Sequence, residues 1–222
     1  MINLIQKLFI FIFILPLISC SKSSENIISI DENTYIEKFE LVQNNANNNT
    51  TVKISSPKAI IDQTTKDIDI YDSDIKLSDK TGNTINISSG RSTLNNSINV
   101  IKAYNNVNIK LPDDENAYIL TNSVEWFLDK SVMDFDSPLA INFKDTIITS
   151  LNGSYDIESS ILTLKNNIFN RNIYNSEGII DYQIEIYSDN AKWTESDNSI
   201  VFTSDNKQVE TIFKILSIKN VK

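Results

Sequence analysis

The chain has 222 residues, of which 29 are acidic and 20 basic, so its net charge is −9 at neutral pH, and it contains no histidine. This acidic balance excludes a typical nucleic-acid-binding protein, which needs clustered Lys and Arg. The lack of histidine removes the commonest general base and metal ligand, and with it every Ser-His-Asp or Cys-His arrangement.

The first 19 residues predict a bacterial signal peptide. Lys7 supplies the positive charge, and residues 8–15 form an unbroken apolar run before Pro16. The run ends in Leu17-Ile18-Ser19-Cys20, which resembles the lipobox, where a peptidase cuts before a cysteine that carries diacylglycerol. We therefore predict lipidation of Cys20, and, because this is the single cysteine, a mature protein without disulfides.

Three segments follow from this division: a signal peptide at 1–19, an anchor and polar linker at 20–51, and one β domain at 52–222. The Asn-rich stretch 43–51 is typical of a flexible connection. The pattern around Phe39 fits either a first strand or a short helix.

Short runs of alternating apolar and polar residues dominate the predicted β domain, as expected for strands with one buried face. Examples are 84–88, 107–111 and 183–187. Turn-forming residues separate the runs, for instance Gly82-Asn83 and Asn152-Gly153. The tail 207–222 is ambiguous, because its apolar residues also fit one face of a helix.

A hairpin pattern occurs three times, and it predicts an apolar face that runs along the sheet. Within each copy the apolar positions have the same parity, which places their side chains on one face of the sheet. The copies are Ala59-x-Ile61 with Ile68-x-Ile70, Val124-x-Trp126 with Met133-x-Phe135, and Ala191-x-Trp193 with Ile200-x-Phe202. Gly90 and Gly153, which recur at a similar spacing, predict bulges or turns where the sheet bends.

The repeated face is the candidate binding surface, and we expect it to form an apolar trough for long acyl chains. The same side chains also fit a closed core, so both interpretations stay open. The trough residues are Ile61, Ile68, Ile70, Trp126, Met133, Phe135, Trp193, Ile200 and Phe202. We assign no catalytic residue, metal or cofactor. The Asp residues at 67, 69, 72 and 74 fit a solvated face better than a calcium loop, because no glycine-containing loop organises them.

Several of these features resemble the LptC family, the periplasmic component of lipopolysaccharide export. They are the short N-terminal anchor, the length of the β domain, and the runs 56–59, 106–109 and 136–139, within a similarity that covers about Lys53 to Phe202. The resemblance implies an all-β fold, a bent antiparallel jelly roll called a β-taco. It implies that the protein receives lipopolysaccharide from the membrane subunits of an inner-membrane ABC transporter. It further implies transfer to a periplasmic bridge protein similar to LptA.

We therefore expect a lipid-transfer protein without enzymatic activity, on the periplasmic face of a bacterial membrane, with the inner membrane favoured by the resemblance. Cys20 departs from the uncleaved transmembrane helix of better-known members, and the net charge of −9 favours a lipid head group that faces solvent or is bridged by divalent cations. The main alternative is a structural or adhesive surface lipoprotein with a closed β-sandwich and no lipid cargo. A carbohydrate-cleaving enzyme with paired carboxylates is a more distant one.

Overall fold

A computed structural model describes residues 33–45, 50–78, 84–111, 117–194, 199–205 and 208–216. These residues form thirteen strands and no helix, and all pairings are antiparallel within one sheet. The predicted all-β fold is therefore confirmed. Among the described residues, no helix is long and apolar enough to cross a membrane.

Eleven strands follow one another across the sheet, and two short ones extend it. The bounds are β1 Asn33–Asn45, β2 Thr50–Asp62, β3 Ile68–Ser78, β4 Thr84–Asn95, β5 Val100–Lys110, β6 Tyr118–Phe127, β7 Val132–Phe135, β8 Leu139–Phe143, β9 Thr146–Asp156, β10 Ile161–Tyr174, β11 Ile180–Thr194, β12 Ser199–Thr203 and β13 Glu210–Ile215. Strands β7 and β8 lie end to end between β6 and β9, and β12 and β13 lie end to end beside β11. Each such pair therefore occupies the place of one long strand that is interrupted halfway.

The breaks between β7 and β8 and between β12 and β13 lie on one line across the sheet, together with bends inside other strands. We call this line the corner. Asp72, Asn105, Asn106 and Asn166 have positive φ within β3, β5 and β10, and Asp and Asn tolerate this left-handed conformation better than most residues. The extra residue in β5 shifts its register against both β4 and β6. Because a left-handed residue or a bulge bends a strand, a row of them folds the whole sheet along one line.

The corner divides the sheet into two half-sheets. Half-sheet 1 contains residues 39–45, 50–55, 74–78, 84–88, 107–111, 118–121, 139–143, 146–150, 167–174, 180–188 and 210–215. Half-sheet 2 contains residues 33–37, 58–62, 68–71, 91–95, 100–104, 123–127, 132–135, 152–156, 161–165, 190–194 and 199–203. Their inner faces pack against each other and form one hydrophobic core, as expected for a sheet folded over on itself.

Small polar side chains fill the corner and replace the interrupted ladder bonds. The hydroxyls of Ser73, Ser89 and Ser92 form a buried triangle with edges of 2.7 to 2.8 Å. Ser150 Oγ accepts a hydrogen bond from Lys165 N at 3.1 Å and donates one to Lys165 O at 2.7 Å. A buried polar group without a partner is costly: Ser150 satisfies both backbone groups of Lys165, and the three hydroxyls of the triangle satisfy one another.

At the two ends of the chain the structure decides between a strand and a helix, which the sequence left open. Strand β1 pairs with β2 from Asn33 to Asn45, so these residues belong to the sheet although they fell within the predicted linker. The tail, whose pattern fits either a strand or a helix, contains strand β13, and its backbone groups complete the ladder of β11. Residues 1–32, with the predicted signal peptide and Cys20, lie outside the described residues.

The two glycines have different roles. Gly90 lies at the register shift between β4 and β5, as the predicted bulge requires. Gly153 instead lies in an uninterrupted ladder with β10. A Cβ there would come within 2.6 Å of Thr163 O and 2.9 Å of Leu164 Cδ2, so close packing rather than a bend explains this glycine.

Candidate functional site

The three predicted hairpins form most of the inner face of half-sheet 2. Their cross-strand partners are Ala59 with Ile70, Ile61 with Ile68, Trp126 with Met133, Ala191 with Phe202, and Trp193 with Ile200. Directly opposite residues share a face, so each hairpin presents its apolar residues to the interior. The nine candidate residues thus come from one wall of the folded sheet.

The candidate residues differ in how far the opposite wall covers them. Ile70, Met133 and Phe135 are completely buried, and Trp126, Ile68 and Trp193 are nearly so. Ile61, Ile200 and Phe202 are only partly buried. In this structure, therefore, most of the predicted trough is filled by protein side chains, and its partly accessible residues lie on β12 and, for Ile61, on β2.

The opposite wall belongs to half-sheet 1 and was not assigned to the site from the sequence. Its buried inner residues include Ile54, Ile75, Ile87, Ile109, Ile119, Ile141, Ile148 and Phe169. The alternating runs 84–88 and 107–111 were recognised as strands, and their apolar positions give part of this wall. They could have been assigned to it only by knowing that the sheet folds at the corner.

A cavity of about 410 Å³ separates the two walls at the C-terminal end of the sheet. Phe143 and Trp193 contact each other with ring centroids 5.4 Å apart, and Phe169 and Phe202 do so at 5.3 Å. The lining also includes Ile141, Thr146, Ile148 and Ile200, with Lys144, Asp145 and Arg171. This volume falls within the range of about 300 to 1,000 Å³ that is usual for small-ligand pockets. We call it the C-terminal cavity.

Beyond the cavity, the inner face of half-sheet 1 continues, and no other strand of the described part of the chain covers it. Ile173 pairs with Tyr182, and Tyr182 pairs with Ile215, so these residues share the inner face. Their exposed fractions are 40%, 43% and 68%, and neighbouring Phe213 is also 68% exposed. We call Ile173, Tyr182, Phe213 and Ile215 the terminal platform. Large contiguous apolar surfaces of this kind usually mark a binding site.

The half-sheets pack closely beside Trp126. The void beside Trp126 and Leu128 has a volume of only about 10 Å³, which is room for one water molecule at most. Gln43 Nε2 donates a hydrogen bond to Asn99 Oδ1 at 3.4 Å, joining β1 to the turn after β4 beside this void. Between the half-sheets, an acyl chain therefore finds more space in the C-terminal cavity than beside Trp126.

Charged groups lie mainly on the outer face. Arg91 pairs with Asp69 at 2.8 Å and lies between the rings of Tyr71 and Tyr104, at 5.5 and 5.6 Å from their centroids. Its hydrogen bond to Asp69 raises the pKa of Arg91. Partial burial, with nearby Asp136 and Glu125, raises the pKa of Asp134.

The Asp-rich strand β3 does not gather its carboxylates around one point. Asp69 is held by Arg91, and Asp72 occupies a positive-φ position at the corner. Within the described part of the chain, no group of three or more acidic or cysteine side chains could hold a metal ion.

Comparison with known protein families gives a match that covers most of the chain. The family model described as LptC, lipopolysaccharide-assembly, LptC-related, matches residues 8–171 of the chain. The match covers the strands from β1 to most of β10. A comparison with curated proteins gave no match.

Proposed function

Because the chain belongs to the LptC family and so has a role in lipopolysaccharide transport, we propose that it accepts lipopolysaccharide from an inner-membrane ABC transporter and passes it to a periplasmic LptA-like bridge. LptC proteins are transport components rather than a known enzyme family, and the proposal includes no catalytic step. Energy for export would come from the transporter.

The accessible apolar surface at the C-terminal end carries this proposal. Trp193, Ile200 and Phe202 line the C-terminal cavity, and the terminal platform continues the same inner face. Each acyl CH₂ that leaves water here would gain about 0.8 kcal/mol. A platform with one open side would let acyl chains enter sideways while the sugars stay in water.

Transport along the whole trough would require the half-sheets to separate. Phe135 and Met133 have no exposed surface, so lipid contact with them needs a more open state than the one described. In the closed state we expect lipid to contact Phe202 and the terminal platform first. The other predicted trough residues would follow as the walls move apart.

The free edges of the sheet would bind the partners. Strand β1 pairs only with β2, and β12 and β13 pair only with β11 among the described strands. Unpaired backbone groups at an edge can add a strand from another protein. We propose that one edge joins the transporter's periplasmic part and the other joins the LptA-like bridge.

Lipid attachment at Cys20 would hold the protein at the periplasmic face of the inner membrane. Two acyl chains anchor a protein stably, since each buried CH₂ adds about 0.8 kcal/mol. Mass spectrometry of the N-terminal peptide tests for the acyl chains. Cys20→Ala is expected to abolish the acylated N-terminal peptide, because it removes the side chain that would carry the diacylglycerol.

Site-specific photocrosslinking tests the transfer function. Crosslinkers at Phe202 and Phe213 are expected to capture lipopolysaccharide in cells, whereas those at outward-facing Val201 and Asp69 are not. Val201 is a matched control because it neighbours Phe202 on β12 and is exposed. Capture at Trp126 and Phe135 is expected only when the transporter is active. Equal labelling of the inward and outward positions would exclude a lipid path between the half-sheets.

The alternative of a structural surface lipoprotein draws its support from the tightly closed middle of the core. It does not account for four large apolar side chains left uncovered in the terminal platform. It predicts that no glycolipid copurifies with the native protein in mild detergent. Native mass spectrometry distinguishes the two functions.

A further inference from the structure

Arg171 and Lys144 lie where the C-terminal cavity meets the terminal platform. Arg171 has the same parity as Phe169 and Ile173 on β10, so its side chain follows the inner face and lines the cavity. Across the ladder it pairs with Thr146 on one side and Ile184 on the other. A cation thus stands on an otherwise apolar face, between two surfaces suited to hydrocarbon.

The turn between β8 and β9 brings a second cation to the same rim. Asn172 N donates a hydrogen bond to Asp145 O at 3.1 Å, which holds this turn against β10. Lys144 Nζ lies 4.8 Å from the ring centroid of Phe143, a residue of the cavity wall. The rim therefore carries two positive charges and the single negative charge of Asp145.

Neither cation is engaged by an acidic side chain of the described residues. The other arginine of the chain, Arg91, shows the contrast, because it is fixed by Asp69 and two tyrosine rings. In a chain of net charge −9, Arg171 thus lies on an apolar inner face with a guanidinium fork that no carboxylate of the described residues occupies. That fork suits bidentate binding of a phosphate.

We propose that Arg171, assisted by Lys144, binds a phosphate group of the carried lipid, so that the acyl chains lie in the C-terminal cavity and on the terminal platform. This subsite rests on the lipid-binding function proposed above. It places the phosphorylated head group at the rim beside β10 and so fixes the orientation of the lipid on the sheet. Phosphorylated amphiphiles would then bind more tightly than neutral ones with the same chains.

Binding of lipid A and of its dephosphorylated counterpart to the purified full-length protein tests the subsite. For Arg171→Gln we expect roughly ten-fold weaker binding of lipid A, as for loss of a charge-assisted hydrogen bond, and little change for the dephosphorylated form. Arg171→Lys should restore part of the affinity. Lys165→Gln, an exposed change on the outer face of the same strand, is the matched control and should bind like wild type.

Two further arms distinguish direct contact with the lipid phosphate from a divalent-cation bridge and from a site for free phosphate. Asp145→Asn should strengthen lipid A binding, because it removes the one negative charge at the rim, whereas weaker binding in this variant would point to a divalent-cation bridge and overturn direct contact. Inorganic phosphate titrated alone should bind far more weakly than lipid A. Equal binding of both would assign the rim to free phosphate instead.

The outcomes distinguish this subsite from the function on which it rests. If wild type binds neither lipid, the proposed transfer function fails. If wild type binds both lipids with equal affinity and Arg171→Gln changes neither, the acyl site stands and the phosphate subsite is overturned.

Discussion

The closed middle of the interior and its C-terminal end are built from the same kind of alternating strand, yet they differ in solvent exposure. Phe135 and Ile141 are fully buried between the half-sheets, whereas Phe213 and Ile215 on the continuing inner face are 68% exposed. The difference arises because the arms of β10 and β11 are longer in half-sheet 1 than in half-sheet 2.

The side-chain hydrogen bonds of the corner also differ between two parts of the sheet: they are shorter at β3 and β4 than at β10 and β11. The Ser73, Ser89 and Ser92 triangle is short and closed, whereas Asn167 Nδ2 lies 3.4 Å from both Leu164 O and Ser188 Oγ. Among the described residues, Asn167 Oδ1 is buried without a hydrogen-bond partner, as is Asn108 Oδ1 on β5. Where β10 meets β11, the corner is thus held by longer side-chain hydrogen bonds than the serine triangle of β3 and β4. The comparison shows that the most tightly packed part of the sheet and the part that is accessible to a ligand are different regions.

The largest expected effect tests the closed region. Phe135→Ala should lower the free energy of unfolding by about 3 to 5 kcal/mol, because it leaves a cavity in a fully packed core. Phe202→Ala should cost only about 1 kcal/mol, since its ring is partly exposed and loses less buried area. Urea denaturation followed by tryptophan fluorescence measures both. Similar losses in the two variants would break the distinction between the regions.

A smaller effect sharpens the comparison at the corner. Ser73→Ala should destabilise the protein by about 1 to 2 kcal/mol, because it removes the hydroxyl that bonds both Ser89 and Ser92 in a buried site. Ser188→Ala should cost about 0.5 kcal/mol or less, because its bond to Asn167 is already long. Amide hydrogen exchange should show faster opening in β10 and β11 than in β3 and β4 of the wild-type protein. Faster exchange in β3 and β4 than in β10 and β11 would contradict the proposed difference between the two parts of the corner.

The smallest effect concerns charge and pH. Burial first, then Asp136 and Glu125, raise the pKa of Asp134 above 3.8, so the folded state holds its proton more tightly and stability falls as pH rises past that value. Asp134→Asn should therefore stabilise the protein at pH 7 by less than about 1 kcal/mol, and not at pH 3.

In the open region, the hydrogen bond from Lys214 lowers the pKa of Glu185 below 4.5. This hydrogen bond therefore stabilises the folded state above that pH, and its contribution is lost as the pH falls and Glu185 becomes protonated.

Glu185→Gln should accordingly destabilise the protein at pH 7 and have no effect at pH 3, the opposite sign to Asp134→Asn. Thermal melts at both pH values provide the measurement, and Asp74→Asn, a change at an exposed position of β3, is the control. Changes of the same sign at pH 7 would contradict the different charge environments of the two regions.

Much of the sheet could be predicted from local pattern alone. The step from Ile61 to Ile68 and its two counterparts specified hairpins whose register the structure reproduces at Trp126 with Met133 and at Trp193 with Ile200. Alternation defined these faces because a strand turns successive side chains to opposite sides. The tail was ambiguous because its apolar residues fit two periods, and only the free edge of β11 decided in favour of a strand.

The candidate site was predicted only in part, because alternation names a face and not what covers it. Phe135 and Phe202 have equivalent places in their repeats, yet one is sealed and the other lines the C-terminal cavity. Lys144 and Arg171 are 27 positions apart in the chain, and nothing local to either signals that they share a rim.

The amino-acid sequence by itself determined the strands, the three hairpins and the side of each strand that is apolar, since these depend on neighbours within a few residues. Only the tertiary structure decided where the sheet folds, which apolar residues become sealed and which stay open. Those outcomes depend on the lengths of arms that meet across the corner, and on small polar side chains whose hydrogen bonds join residues far apart in the chain.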